Sequence, residues 1–118
     1  MNIQFKHQDE IAVIELAGDI DANTAPQVQQ QITPLFKPES QLLLDLTRVS
    51  YMSSAGLRIL LTLHRYATAN HCRFVLVGLS EEVKDVMSVT GFLKFFITCN
   101  TVEAGLKQLN SDEHKPPE

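Results

Sequence analysis

Cysteine is scarce in this sequence. Cys72 and Cys99 are the only two in 118 residues, and they form no Cys-x-x-Cys motif. This argues against a disulfide framework or a structural zinc site, and we expect both to be buried thiols. The four histidines are scattered along the chain and show no metal-ligand spacing. The sequence therefore predicts neither a bound metal nor a cofactor.

Positive charge is also limited. Ten lysines and arginines stand against fourteen aspartates and glutamates, which gives a formal net charge of −4, and no basic block occurs. Nucleic-acid binding draws most of its affinity from cationic side chains that contact phosphates. The composition therefore argues against direct binding to DNA or RNA.

Long apolar runs are absent as well. None approaches the roughly 20 apolar residues that a membrane-spanning helix needs, and the N-terminus lacks the apolar core of a signal peptide. Glycine and proline number only five each, and 44% of the residues are hydrophobic, as in globular domains. We expect a cytoplasmic protein without membrane insertion; its oligomeric state is left open.

Short apolar segments predict the strands. Ile3–His7 alternates apolar and polar residues, Ile11–Leu16 is rich in β-branched residues, and the polar turn Gln8–Glu10 joins them into an antiparallel hairpin. The continuous apolar run Leu42–Leu46 is typical of a central strand covered on both faces. Two more strands are expected, at Arg73–Gly78 and Phe95–Thr98.

Apolar residues at helical spacing predict two helices in the first two thirds of the chain. The first is capped by Thr24, with Gln27 three residues later, and is bent or ended by Pro34. The second runs from about Ser54 to near Ala69, with Leu57, Leu60, Leu61 and His64 on one stripe.

Two further helices follow. Ser80 opens a third helix that Gly91 ends, and its apolar face consists of Val83, Val86 and Met87. Asn100, followed three residues later by Glu103, opens the last helix, which carries Val102, Leu106 and Leu109.

This order of elements predicts an α/β fold. We expect one domain over residues 1–110, with a mixed sheet of four to five strands, an antiparallel N-terminal strand and about four helices. Residues 111–118 form a polar tail with two prolines and no apolar period. We expect this tail to be disordered.

The segment between Asp45 and Arg58 carries the candidate chemistry. A buried strand ends there in a polar loop that enters a helix, and binding sites in α/β sheets gather beyond the carboxyl ends of strands. The adjacent Ser53 and Ser54 would lie at the helix N-terminus, which suits a hydroxyl cap or a phosphate equally. Gly56 permits a close approach of the backbone.

Several groups of residues resemble one known family. The run Leu44-Asp45-Leu46 is followed by Ser53-Ser54-Ala55-Gly56-Leu57, with Gly18-x-x-Asp21 upstream and Val89-Thr90-Gly91-Phe92 downstream. Together they resemble the STAS domain, the fold of bacterial anti-sigma factor antagonists, over roughly residues 3 to 110. The likeness predicts a regulatory binding module and not an enzyme.

The resemblance implies a phosphorylation switch at Ser54. The family pattern there is typically Met-Asp-Ser-Ser/Thr-Gly-Leu, so that Ser53 replaces the aspartate and Ala55 the second hydroxyl residue. It implies a partner serine kinase with anti-sigma activity and a PP2C-type phosphatase that removes the phosphate. The expected partner-binding residues are Asp21, Ser53, Gly56, Leu57 and Arg58. We further expect Arg58, or Arg48 from the loop, to pair with the phosphate.

Other interpretations remain open. Ser54 is otherwise a plain helix cap, Asp21 a turn residue or cap, and Asp45 mainly structural. The chain could be a STAS subunit that docks on a membrane transporter or a larger signalling complex and is never phosphorylated. It could also sense a small molecule or nucleotide at the helix N-terminus, although it has no Gly-rich phosphate loop. A serine hydrolase is disfavoured because no Gly-x-Ser-x-Gly motif occurs.

Overall fold

The fold is one mixed sheet with helices on both faces. The computed structural model describes residues 1–110. The elements in chain order are β1 (Asn2–Gln8), β2 (Ile11–Ala17), α1 (Ala25–Ile32), β3 (Gln41–Arg48), α2 (Ser54–Ala69), β4 (Arg73–Val77), α3 (Glu81–Val89), β5 (Ile97–Cys99) and α4 (Val102–Asn110). The predicted α/β architecture is confirmed. The tail 111–118, expected to be disordered, lies outside the described residues.

The sheet begins with a tight hairpin. Strands β1 and β2 pair antiparallel from Asn2 opposite Ala17 to Gln8 opposite Ile11. The two residues between them, Asp9 and Glu10, have φ angles of 51° and 64°. Two successive positive φ angles are typical of a type I′ turn, whose twist matches that of the flanking strands. The predicted N-terminal hairpin is therefore confirmed.

The other strands run parallel to β2. The spatial order is β1-β2-β3-β4-β5, so each parallel strand lies beside the preceding one and a helix connects them. Leu42 and Leu44 pack with the apolar residues of α1, α2 and α3, whereas Leu43 packs with Val13 and with Leu109 of α4. Because strand side chains alternate between faces, β3 is buried on both sides, as predicted.

The first helix ends where Pro34 predicted a stop. Helix α1 ends at Ile32, and a 3₁₀ turn, Thr33–Leu35, contains the proline. A prolyl ring removes one backbone donor and crowds the preceding turn, which ends the regular helix. Helix α2 spans Ser54–Ala69, as predicted.

The last strand was predicted too early. Phe95 belongs to a 3₁₀ turn, Leu93–Phe95, and β5 covers only Ile97–Cys99. The backbone N–H groups of Phe95 and Phe96 donate within this turn, to the carbonyl oxygens of Phe92 and Leu93 at 3.1 and 3.2 Å, so pairing with β4 starts only at Ile97. Local apolar content alone therefore placed the strand wrongly.

Two further predictions were wrong in the C-terminal third. The cap of α4 is Thr101, whose hydroxyl accepts the Ala104 N–H at 3.1 Å, and not Asn100. In α3, Val83 and Met87 are buried but Val86 is 44% exposed. This short helix buries only a narrow i, i+4 stripe, and Val86 lies beside it.

The two cysteines are only partly buried, which corrects the prediction of buried thiols. Cys72 precedes β4, and its Sγ lies 3.1 Å from the Lys37 carbonyl oxygen. Cys99 ends β5, one of the two edge strands of the sheet. Partial burial raises the pKa of both thiols, because a desolvated thiolate is disfavoured.

Candidate functional site

Two loops meet at the carboxyl ends of the parallel strands. The loop after β2 donates from the Ile20 N–H to the Tyr51 carbonyl oxygen at 3.0 Å, and the Ser53 N–H donates back to the Ile20 carbonyl oxygen at 2.9 Å. Ile20 and Met52 thus form an isolated parallel bridge. These bonds hold the start of α2 against the loop that precedes α1.

Ser53 is the cap of α2. Its backbone is extended, with φ −80° and ψ 177°, and its side-chain oxygen accepts the Gly56 N–H at 3.4 Å. Its carbonyl oxygen accepts the first helical bond, from Leu57 N–H at 3.0 Å. Of the two adjacent serines, Ser53 is therefore the one that caps α2.

Ser54 is the first residue of α2 and is exposed. Within residues 1–110 its hydroxyl has no hydrogen-bond partner, and the first turn of α2 contains no acidic residue. Unpaired N–H groups and the helix dipole make this end of a helix favourable for negative charge. Ser54 is thus a free hydroxyl in a locally positive environment.

Arg58 lies one helical turn after Ser54 and is also exposed. Residues four apart lie on the same side of a helix, where a guanidinium can reach a phosphate on the first residue. Among the described residues, Arg58 forms no ion pair. Its guanidinium is therefore available to an anion at Ser54.

Arg48 and Asp45 lie at the end of β3. They line a depression of about 190 Å³ together with Glu15 and Ala17. Asp45 follows Leu44 in β3 and so faces the opposite side of the sheet from α2. One oxygen of its carboxylate accepts the Thr47 N–H at 3.0 Å. Asp45 thus stabilises the end of β3.

Gly56 and Leu57, predicted at a partner-binding face, lie beneath the surface. Gly56 is buried, and a Cβ there would lie 2.8 Å from the Ile20 carbonyl oxygen and 2.5 Å from Met52 Cγ. Leu57 is only 7% exposed and belongs to the core. The structure corrects their position: both shape the site from below and offer little surface for contact.

Asp21 caps the turn that leads into α1. Its carboxylate accepts the Thr24 N–H at 3.1 Å, and the Thr24 hydroxyl accepts the Asp21 N–H at 3.0 Å. This reciprocal pair is a capping box. Thr24 is the N-cap residue of α1, as predicted, but its hydroxyl bonds to Asp21 N–H and to the Asp19 carbonyl oxygen and makes no cap bond to α1. Asp21 remains partly exposed beside Ile20.

An exposed apolar strip next to the serines was missed from sequence. Tyr51 is 52% exposed, Val86 44% and Val89 87%. Tyr51 and Val86, with Met52 and Glu82, line a cleft of about 110 Å³ between the loop and α3. The sequence could have predicted this strip, because Glu82, Val86 and Val89 follow helical spacing and share a side of α3 that lies beside its buried residues. Tyr51 lies three residues before Ser54, so the cleft adjoins the loop that leads to both serines.

Other site types find little support in residues 1–110. Over that range, no group of three or more His, Cys, Asp or Glu side chains is arranged to hold a metal ion. Nor does any described helix combine the length and apolar character needed to cross a bilayer.

Comparisons with known proteins agree with this geometry. The family model for the STAS domain matches residues 2–105. The chain is 33% identical over 113 residues to the anti-sigma-B factor antagonist of Listeria monocytogenes, covering 94% of this chain and 98% of that protein.

Solved structures show the same fold. An anti-sigma factor antagonist from Mycobacterium paratuberculosis is 24% identical, with a TM-score of 0.83 and coverage of 93% of this chain and 94% of that one. The Bacillus cell fate determinant SpoIIAA in its phosphorylated form is 21% identical, with a TM-score of 0.70 and coverage of 92% and 100%. This chain belongs to the STAS domain family, and these relatives are anti-sigma factor antagonists.

Proposed function

We propose that this STAS-domain chain is a regulatory binding protein whose contact with an anti-sigma factor is switched by reversible phosphorylation of Ser54. The proposal rests on the different roles of two adjacent serines. Ser53 caps α2, which leaves the Ser54 hydroxyl exposed and without a partner within residues 1–110. A modifying enzyme therefore reaches Ser54 without breaking the helix cap.

A phosphate at Ser54 would alter the surface and spare the fold. It adds about −1.5 to −2 charges at neutral pH. The helix dipole tolerates these charges at the N-terminus, and Arg58 is available to pair with them. The exposed face changes sign and gains bulk, so a partner that fits the free hydroxyl binds the phosphorylated form less tightly.

The partner-binding surface in this proposal has a polar part and an apolar part. Ser54, Arg58 and the exposed part of Asp21 form the polar part. The apolar part is the strip of Tyr51, Val86 and Val89, which offers side chains that a partner can desolvate. Gly56 and Leu57 contribute by holding the loop against Ile20.

The proposed partners are a serine kinase with anti-sigma activity and a PP2C-type phosphatase. The names of the relatives support an anti-sigma factor as partner, because an antagonist must bind the factor it opposes. That this factor is a serine kinase is implied by the family resemblance alone. The nucleotide and Mg²⁺ of the phosphoryl transfer belong to the kinase, which supplies their ligands. This chain supplies only the acceptor hydroxyl and the docking surface.

The test begins with the protein isolated from its native cells. Mass spectrometry should find phosphate on Ser54, with an occupancy that changes with growth conditions. Binding of the purified kinase is then measured by calorimetry for three variants. Ser54→Ala should bind like the unmodified protein and accept no phosphate, Ser54→Glu should bind at least about tenfold more weakly, and Ser53→Ala should remain phosphorylated at Ser54.

Two results would overturn the proposal. One is equal binding of the kinase by the unmodified, Ser54→Ala and Ser54→Glu forms. The other is absence of phosphate from Ser54 in every growth condition, which would instead support the subunit that docks on a transporter or a larger complex without being phosphorylated.

A further inference from the structure

The outer edge of strand β1 is long and unprotected. Strand β1 ends the sheet on one side, and its seven residues pair with β2 without a register shift. It contains neither proline nor glycine. Natural edge strands are commonly blunted by proline, by a bulge or by a short length, because their free backbone groups pair readily with another strand. The other edge strand, β5, is only three residues long, whereas β1 has none of these protections.

The hairpin geometry shows which backbone groups of β1 point outward. A two-residue type I′ loop is closed by a pair that exchanges both N–H···O bonds, here Gln8 and Ile11. Hydrogen-bonded and non-hydrogen-bonded pairs alternate along an antiparallel ladder. The N–H and C=O groups of Ile3, Phe5 and His7 therefore point away from β2. Among residues 1–110, no hydrogen bond occupies these outward groups.

The side chain of Phe5 is the exposed apolar group of this edge. Ile3 and Phe5 lie opposite Leu16 and Ile14, which pack in the core with residues of α1 and α2. Ile3 packs partly against that core, but Phe5 is 45% exposed. A further strand beside β1 would place a side chain next to this ring on the same face of the sheet.

A second copy of β1 matches this edge in one antiparallel register. With a two-fold axis at Phe5, this residue lies opposite its own copy, and Ile3 lies opposite His7 of the second copy. All three outward residues then form hydrogen-bonded pairs, each of which exchanges both N–H···O bonds. Registers centred on Gln4 or on Lys6 keep only part of these pairs within β1. The backbone therefore favours the register centred on Phe5.

The charges favour the same register. Lys6 then lies opposite Gln4 of the second copy, so no like charges face each other. The register centred on Lys6 would set this lysine directly against its own copy, which is destabilising. Within each chain, Lys6 Nζ lies 2.6 Å from a carboxylate oxygen of Glu15, so its charge is already paired.

We propose that the chain forms a homodimer in which two β1 strands pair antiparallel about Phe5 and join the two five-stranded sheets into one. The assembly stops at two copies, because the outer edges of the joined sheet are then the short β5 strands.

The dimer is independent of the phosphorylation switch, because no residue of β1 belongs to the partner-binding surface around Ser54. Strands β2 to β5 of the two copies run in opposite directions in the joined sheet. Their carboxyl ends, and with them the two Ser54 residues, therefore lie at opposite ends of the dimer. Each copy can bind its own partner in this arrangement.

The first experiment is sedimentation equilibrium on the full chain over a wide range of concentrations, in which the apparent mass should double. Hydrogen exchange followed by NMR then locates the contact. The amides of Ile3, Phe5 and His7 should gain protection as the concentration rises. Those of Gln4 and Lys6 already bond to β2 and should be protected at every concentration.

Charge variants test the register, because Phe5 is the residue of β1 that would face its own copy. Phe5→Lys and Phe5→Glu should each raise the dissociation constant of the dimer at least about tenfold, since like charges then oppose each other and the ring contact is lost. An equimolar mixture of the two variants should associate more tightly than either variant alone. Phe95→Lys, at a ring that is 49% exposed and lies outside β1, is the control and should dimerise like the unmodified chain.

Four results would overturn the assignment. They are a monomer at every concentration, growth beyond two copies, concentration-dependent protection confined to residues outside β1, and equal association of the mixed and the separate Phe5 variants. Protection of the outward β1 amides in the monomer would also overturn it, because another segment of the same chain would then cover this edge. The exchange measurement uses the unmodified chain, so it decides the question even if a Phe5 variant fails to fold.

Discussion

The carbonyl oxygen of Ile20 accepts the Ser53 N–H at 2.9 Å, which joins the loops that precede α1 and α2. The same oxygen would lie 2.8 Å from a Cβ on Gly56. The Ile20 carbonyl group therefore contacts the start of α2 twice, by a hydrogen bond from Ser53 and by the close approach of Gly56. This arrangement orients Ser53 as the cap and leaves Ser54 exposed.

Replacing Gly56 by alanine should destabilise the protein. Alanine favours a helix by about 1 kcal/mol over glycine, but overpacking against the Ile20 carbonyl and Met52 should cost about 1–3 kcal/mol or more. Urea unfolding followed by circular dichroism measures the free energy of unfolding. Ser88→Ala, at an exposed position of α3, is the control and should change it little. A Gly56→Ala protein more stable than the wild type would contradict the close contact.

The two adjacent serines should differ in their contribution to stability. Ser53→Ala removes the cap bond to Gly56 N–H and should lower the free energy of unfolding by about 1 kcal/mol. Ser54→Ala removes an exposed hydroxyl without a described partner and should change it by less than about 0.5 kcal/mol. Equal losses in the two variants, measured by urea unfolding, would mean that both hydroxyls cap α2.

Asp21 and Thr24 should be energetically coupled, because each side chain bonds to the other's backbone N–H. Asp21→Ala and Thr24→Ala should each cost about 1 kcal/mol. A double-mutant cycle should show that the combined loss is smaller than the sum, by about 0.5 kcal/mol or more. Strictly additive losses would show that the two residues act independently.

Stability should depend on the protonation of His64. Partial burial lowers the pKa of this side chain below its ordinary 6.5, so below that pH the unfolded chain binds a proton more readily than the folded one. The free energy of unfolding should therefore fall as the pH decreases from about 7.5 towards 5. His64→Gln should show a smaller fall over this range. An identical slope in the two proteins would show that His64 does not contribute.

Arg58 should influence a phosphate on Ser54, if the proposed modification occurs. A guanidinium one turn away favours the dianion and lowers the second pKa of the phosphate, which is ordinarily about 6. In the phosphorylated protein, Arg58→Gln should raise this pKa, and phosphorus NMR against pH measures it. Arg48→Gln serves as the control and should leave it unchanged. An effect of Arg48 alone would reverse the assignment of the two arginines.

The sequence predicted those parts of the fold that depend on local pattern. The hairpin between Ile3 and Leu16, the buried run around Leu44 and the ends of α2 follow from alternation, continuous apolar character and helical spacing, and the structure confirms them. The start of β5 was predicted too early, because the apolar residues before it form a 3₁₀ turn that satisfies their backbone N–H groups locally.

The same division applies to the site. The Ser53-Ser54 pair before a helix, and the likeness of the residues around it to the STAS family, are visible in the order of residues alone, because capping and family motifs are local in the chain. Tertiary structure assigned the cap to Ser53, buried Gly56 against Ile20 and exposed Val86 next to Tyr51. Those outcomes depend on loops and helices distant in sequence that pack together, and this packing decides which side chains remain at the surface.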